Sequence, residues 1–408
     1  MSKDLHEKAL AYHQEGKPGK LDVTSHKKLD NDQDLSLAYS PGVAAPVREI
    51  VKDQSNVNQY TIKGNLVAVI TDGSAVLGLG NVGPLAAKPV MEGKAVLFKY
   101  FADINAFNIE LDTQDVDEIV NTIKNIAPTF GGINLEDISA PRCFEIERRL
   151  IDELDIPVFH DDQHGTAIIV AAGLLNALEI QGKSITSAKI VVAGGGSAGI
   201  ATLDLLLDLG FNKENMILVD RRGVVSKEQI SIVNKYKAAF AVDTDKKTLA
   251  DALDGADVFI GVARGNLVTK KMVKSMAKNP IVFALSNPDP EISVEDVFAC
   301  RDDAVMATGR SDFPNQVNNV LGFPYIFRGA LDANSKIINT EMKVAAVHAI
   351  KDIAKLPVPQ SLLEIYQVDE LSFGRDYFIP KPFDPRLIDL IPKAIFDAAV
   401  KSGVARLK

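Results

Sequence analysis

The chain has 408 residues, 46% of them hydrophobic and 24% charged. That balance excludes a disordered chain, and the length predicts two domains rather than one. A net charge of −9 excludes a nucleic-acid binder of the usual basic kind, while leaving room for a local cationic site that takes an anionic ligand. Cys143 and Cys300 stand far apart without metal-type spacing, which predicts no disulfide framework and a reducing, cytoplasmic compartment. The first ten residues carry Lys3, Asp4, Glu7 and Lys8 and lack the apolar run of a signal peptide. The most apolar stretch, 166–180, is too short to span a bilayer, so no membrane partner is expected.

In chain order, residues 66–70 form an apolar run that ends in Thr71-Asp72-Gly73, the pattern of a buried strand and turn. Residues 95–98 predict a second strand. Helical spacing covers 116–126, and 132–137 reads as a strand ending in the acids Glu136 and Asp137. A buried helix is predicted over 166–180. Strands follow at 189–193 and 216–219, with an apolar helix over 200–209 between them, and further strands at 258–261, 281–285 and 304–307. The tail reads as helical, with apolar periodicity over 340–356 and 385–404.

The strongest local unit is Gly194-Gly195-Gly196-Ser197-Ala198-Gly199, which fits G-x-G-x-x-G. It directly follows a strand and opens a helix, and Asp220 closes the next strand 24 positions after Gly196. This context marks a dinucleotide site. Gly194 serves the tight turn, Gly196 lets the backbone approach a pyrophosphate, and Gly199 lets helix and strand pack closely. Ser197 and Ala198 open the helix, whose N–H groups favour phosphate. Asp220 suits the adenosine ribose and favours NAD, whereas Arg221 and Arg222 beside it offset the repulsion of a 2′-phosphate, so NADP stays open. The fold class is therefore α/β with two domains. Residues 1–160 read as an α/β substrate domain, 161–319 as a doubly wound Rossmann domain, and the tail 320–408 as packing back on the first, with the site in the cleft between them.

Two acid pairs, Glu136-Asp137 and Asp161-Asp162, lie at loop ends. Such pairs suit a hard divalent cation, Mg²⁺ or Mn²⁺, although adjacent acids are as a rule only solvated surface. His160 and His164 flank the second pair and are not assigned as ligands.

Several segments together resemble the malic enzyme family in its short bacterial form: Gly16-Lys17-Pro18-Gly19-Lys20, residues 34–43 around Tyr39, Thr71-Asp72-Gly73 with Leu77-Gly78-Leu79-Gly80-Asn81, Met91-Glu92-Gly93-Lys94, Leu135-Glu136-Asp137, residues 159–166, residues 283–288, and Asn318-Asn319. The resemblance implies oxidative decarboxylation of malate to pyruvate with reduction of NAD or NADP, and a homodimer. It implies Glu136, Asp137 and Asp162 as metal ligands, Lys94 as general base, Asp161 as the carboxylate orienting it, and Tyr39 as general acid. It also implies Asn287, Asn318 and Asn319 as substrate contacts, with Asn287 near the cofactor as well. A base lysine must be neutral, which burial and nearby positive charge favour. In one place the chain departs from the pattern. Larger relatives carry a carboxylate-binding arginine two positions after Asp72-Gly73, and here that position is Ala75. The Ser74 and Ala75 N–H groups, Arg142 or Arg310 are the candidate substitutes. An oxaloacetate decarboxylase using the same metal site, without net redox, is the alternative activity.

Overall fold

The computed structural model describes residues 3–76 and 78–407; Leu77, in the Leu77–Asn81 motif, lies outside them. Two parallel sheets organise the chain. The first contains β1 (Leu66–Thr71), β2 (Asn105–Glu110), β3 (Gly132–Leu135) and β4 (Val158–His160) in the order β2-β1-β3-β4. All six residues of β1 are buried, as expected of a continuous apolar run covered on both faces. The second sheet contains β5 (Ile190–Ala193), β6 (Met216–Asp220), β7 (Gly223–Val224), β8 (Val258–Gly261), β9 (Ile281–Ala284) and β10 (Val305–Thr308). Its order is β10-β9-β8-β5-β6-β7, parallel except for the short β7 at the edge.

The predicted strand at 95–98 is instead the interior of a helix, Pro84–Ala102. A four-residue apolar run does not by itself separate strand from helix, and the longer spacing decides: Ala87, Met91, Ala95, Phe98 and Ala102 are the buried residues, three or four apart along one face. Pro84 at the helix start costs no hydrogen bond there. The other predicted elements form within a few residues of their expected ends.

The first helices of the tail share the core of the first sheet. Phe98 packs edge-on against Phe323 and Phe327, with ring centroids 4.8 and 5.3 Å away, joining Phe323–Asp332 to Pro84–Ala102. Thr340–Ile353 packs against both the buried helix Thr166–Ile180 and the last helix, Arg386–Lys401. Among the described residues, no helix is long and apolar enough to cross a membrane.

Candidate active site

In parallel sheets, ligands gather outside the carboxyl ends of the strands, and every predicted site residue that converges does so there. Leu135 of β3 lies opposite His160 of β4, so the residues that follow, Glu136-Asp137 and Asp161-Asp162, emerge side by side. Asp137 holds a left-handed backbone, φ 54°, a conformation costly for a residue with a side chain and concentrated at functional sites. Its N–H donates to Asp162 Oδ2 at 2.7 Å, and its carbonyl accepts the Ala75 N–H at 2.9 Å. Carboxylate oxygens of Glu136, Asp137 and Asp162 all lie within 4.8 Å of one another.

Lys94 enters from the Pro84–Ala102 helix. Its Nζ lies 2.6 Å from Asp161 Oδ2 and 2.9 Å from Glu136 Oε1, with the Phe323 ring centred 4.2 Å away. Burial opposes the ammonium charge, but Asp161 and Glu136 outweigh it and hold the lysine well above its ordinary value. Glu136 is itself pushed upward by burial and by Asp162, Asp161 and Asp137, against the pull of Lys94. Four carboxylates thus cluster around a lysine that pairs with two of them, and Asp161 Oδ1 is buried without a hydrogen-bond partner. This surplus of negative charge on hard oxygen donors fits a divalent cation such as Mg²⁺ or Mn²⁺. Asn319 donates to Asp161 Oδ2 at 3.1 Å and accepts from the Thr166 hydroxyl at 3.2 Å. Asn318 caps the turn that follows it, accepting from the Val320 N–H at 3.0 Å.

The nucleotide end is built on backbone space. Gly194 has φ 127°, and a Cβ there would sit 2.6 Å from the Val262 carbonyl oxygen. A Cβ on Gly199 would sit 1.8 Å from the Gly194 carbonyl oxygen. No larger residue fits either position without moving backbone. Gly196, by contrast, faces open space and leads into Ser197–Asp208, a helix whose first N–H groups have no side-chain cap and are available to phosphate. Asp220 ends β6, where Lys237 Nζ lies 2.7 Å from its Oδ2 and the Arg222 N–H donates to its Oδ1. Burial opposes its charge, but these partners hold the carboxyl below its usual value. The two sheet ends meet: a Cβ on Gly78, in the loop after β1, would lie 2.5 Å from the Asn287 carbonyl oxygen, in the loop after β9.

Comparison with known proteins places the fold in a family. Residues 18–151 match the malic enzyme N-terminal domain, and residues 163–373 match the malic enzyme NAD binding domain. The chain belongs to the malic enzyme family. It is 59% identical over 398 residues to the NADP-dependent malic enzyme of Halomonas elongata, covering 98% of this chain and 94% of that one. It is 52% identical to the NAD-dependent malic enzyme of Rhizobium meliloti, covering 99% of this chain but only 52% of that longer protein. Among solved structures, the malic enzyme of Pyrococcus horikoshii superposes with a TM-score of 0.90 at 43% identity, covering 99% of this chain and 92% of that one. The NAD-dependent malic enzyme of Thermotoga maritima gives 0.85 at 41%, covering 97% and 99%. Family membership makes the chain an NAD(P)-dependent malic enzyme, with an N-terminal malic domain followed by the NAD-binding domain.

Two of the predicted positions in this malic enzyme need comment. Tyr39 is 72% exposed, and within the single chain no described hydrogen bond or ion pair joins it to the Lys94 cluster. The substitutes for the arginine absent at Ala75 are largely spoken for. The Ala75 N–H serves Asp137, the Ser74 N–H serves Asp72 Oδ1, and Arg310 makes a forked pair with Asp312. Arg142 NH2 bridges Asp72 Oδ2 at 2.8 Å and the Ser74 hydroxyl at 3.1 Å.

Sequence reasoning passed over Lys237, Phe323, Glu147 and Lys343. Phe323 and Lys343 reach Lys94 and His164 from the tail, Lys237 and Glu147 reach Asp220 and His164 across 17 residues, and no spacing pattern announces any of them.

Proposed function

We propose that this malic enzyme converts (S)-malate to pyruvate and CO₂ with reduction of NADP⁺. We propose further that residues 1–160 with the tail 320–408 form the malate and metal unit, and 161–319 the cofactor unit. The carrying observation is the seat of Lys94 between Asp161 and Glu136, beside the mutually close carboxylates of Glu136, Asp137 and Asp162. When bound, a divalent cation supplies Lewis-acid polarisation of the substrate oxygens, and nicotinamide accepts the hydride from C2. Glu136, Asp137 and Asp162 are the residues that hold the cation. Lys94 takes the proton of the malate hydroxyl. In the described geometry its own proton is held by two carboxylates. A cation held by Glu136 would draw on its charge and weaken that hold, and Asp161 is the carboxylate that orients the amine. Asn319 fixes Asp161 and stands at the substrate position, with Asn318 beside it and Asn287 in the loop after β9.

Tyr39 is the general acid that protonates C3. Its exposure supports an assembly in which the segment is covered, since Leu35, Leu37, Val43, Val47 and Val51 around it are also exposed. A homodimer closing over this face is the assembly proposed.

The preference for NADP rests on Lys237. Its ammonium neutralises Asp220, removing the repulsion that a lone carboxylate would impose on a 2′-phosphate and leaving the charges of Arg221 and Arg222 uncancelled by it. Malate assayed with each cofactor, with and without Mn²⁺, tests the whole reading by measuring reduced cofactor and pyruvate together. Pyruvate formed from oxaloacetate, with no malate-dependent cofactor reduction, would replace it with a simple decarboxylase. Lys237→Ala is expected to lower the ratio of kcat/KM for NADP over NAD by about 10–100-fold, the worth of one charge-assisted hydrogen bond.

A further inference from the structure

The turn Asp161–Gly165 carries both the partner of Lys94 and one proposed metal ligand, and a group outside the acid cluster is built to hold it. Glu147 lies on the inner face of the helix Arg142–Glu153 among Cys143, Phe144, Ile146 and Leu150, and is 5% exposed. A carboxylate in such a place is destabilising unless its oxygens are fully engaged. They are. Oε1 accepts the His160 N–H at 2.9 Å, immediately before the turn, and Oε2 lies 2.9 Å from His164 Nε2, inside it. Lys343 then reaches the same imidazole from the tail helix Thr340–Ile353, with Nζ 3.1 Å from Nδ1. Burial opposes the Lys343 charge, which Glu147, Asp208 and Asp204 favour. The chain of contacts therefore runs from a helix of the first sheet, through the turn, to the tail. None of Glu147, His164 and Lys343 makes a described hydrogen bond to Lys94, Glu136, Asp137, Asp161 or Asp162 side chains.

We infer that Glu147, His164 and Lys343 form a positioning triad that clamps the Asp161–Gly165 turn and so sets the metal carboxylates and the partner of Lys94. The inference rests on the proposed roles of Asp161 and Asp162. Outer partners of this kind orient ligands they do not join, and their loss typically costs about 10–100-fold in metal affinity.

The test is the dissociation constant of Mn²⁺ for the full chain, read from the electron paramagnetic resonance of free Mn²⁺, beside NADPH affinity read from its fluorescence. His164→Leu removes the link, His164→Gln keeps an N–H donor toward Glu147, and Lys343→Met removes only the outer cation. His164→Leu is expected to weaken Mn²⁺ binding about 10–100-fold, His164→Gln to return it to within about threefold of the unsubstituted chain, and NADPH affinity to stay within about twofold throughout. Lys343→Met is expected to fall between them. Unchanged Mn²⁺ affinity in folded His164→Leu overturns the triad. So does a parallel loss of Mn²⁺ and NADPH affinity that His164→Gln does not repair, because that outcome describes general loosening of the core. Absence of saturable Mn²⁺ binding by the unsubstituted chain is a different failure: it removes the metal reading itself, and the triad with it.

Discussion

The ends of the two sheets solve opposite problems. Beyond β3 and β4 the chain concentrates charge: four carboxylates and one lysine in a largely buried place, with Lys94 reaching Glu136 and Asp161 from another element. Beyond β5 it removes side chains instead, so that backbone can come close to something else, and its one acid, Asp220, is already neutralised by Lys237. On the proposed reading the first end moves protons and holds a cation, and the second seats phosphates. Substitutions at the first should therefore act on catalysis and metal affinity, and at the second on cofactor binding and packing.

The largest effect is expected at Lys94. Lys94→Ala should lower kcat by about 10²–10⁴-fold while malate KM changes far less, as measured in steady state at saturating Mn²⁺; near-normal kcat would end its assignment as the base. Next comes Asp162→Ala, which should abolish measurable Mn²⁺ binding by titration while leaving NADPH binding intact, and would break the comparison if both failed together. The glycines sharpen it from the other side. Gly199→Ala has to accommodate a methyl 1.8 Å from the Gly194 oxygen and should destabilise the fold by about 1–3 kcal/mol. Gly196→Ala, facing open space, should leave the thermal midpoint unchanged and raise the KM of the cofactor.

The smallest effect is a pH dependence. Burial works against the Glu147 charge, but His164, Lys343 and His160 hold its carboxyl at about 2, against an ordinary value of 4.5. Because the folded value is the lower one, the stabilisation is fully present above 4.5 and is lost as pH falls toward 2. Urea midpoints should therefore decline between pH 5 and 3 in the unsubstituted chain by the equivalent of about 1–2 kcal/mol more than in Glu147→Gln.

Much of the second end could be read directly from the sequence because its physics is local. Strand, glycines, helix and acid follow one another within a short stretch, and the requirement at Gly199 is a clash with Gly194 five residues earlier. The first end could not be read that way. Lys94, Glu136 and Asp161 arrive on three separate elements, and only the parallel register of β3 with β4 brings the acid pairs together; resemblance to a family, rather than spacing, named them. Lys94 shows the same gap at the level of secondary structure. The apolar run beside it reads equally as a strand, and only burial three and four residues apart, settled by packing against the tail, makes it a helix. Lys237 escaped notice because its partner Asp220 is met across a loop with no fixed spacing.

Phe323 lies 1% exposed with its ring over the Lys94 ammonium. It belongs to the tail, and so is made only after the last strand of both sheets, β10, which ends at Thr308. Until then the lysine and its carboxylates have walls but no roof, open to water. The order of synthesis thus withholds a dry site from the nascent chain. A product ending before Phe323 would carry every proposed metal ligand and the whole glycine loop, yet lack the cover under which a lysine can be made to give up its proton.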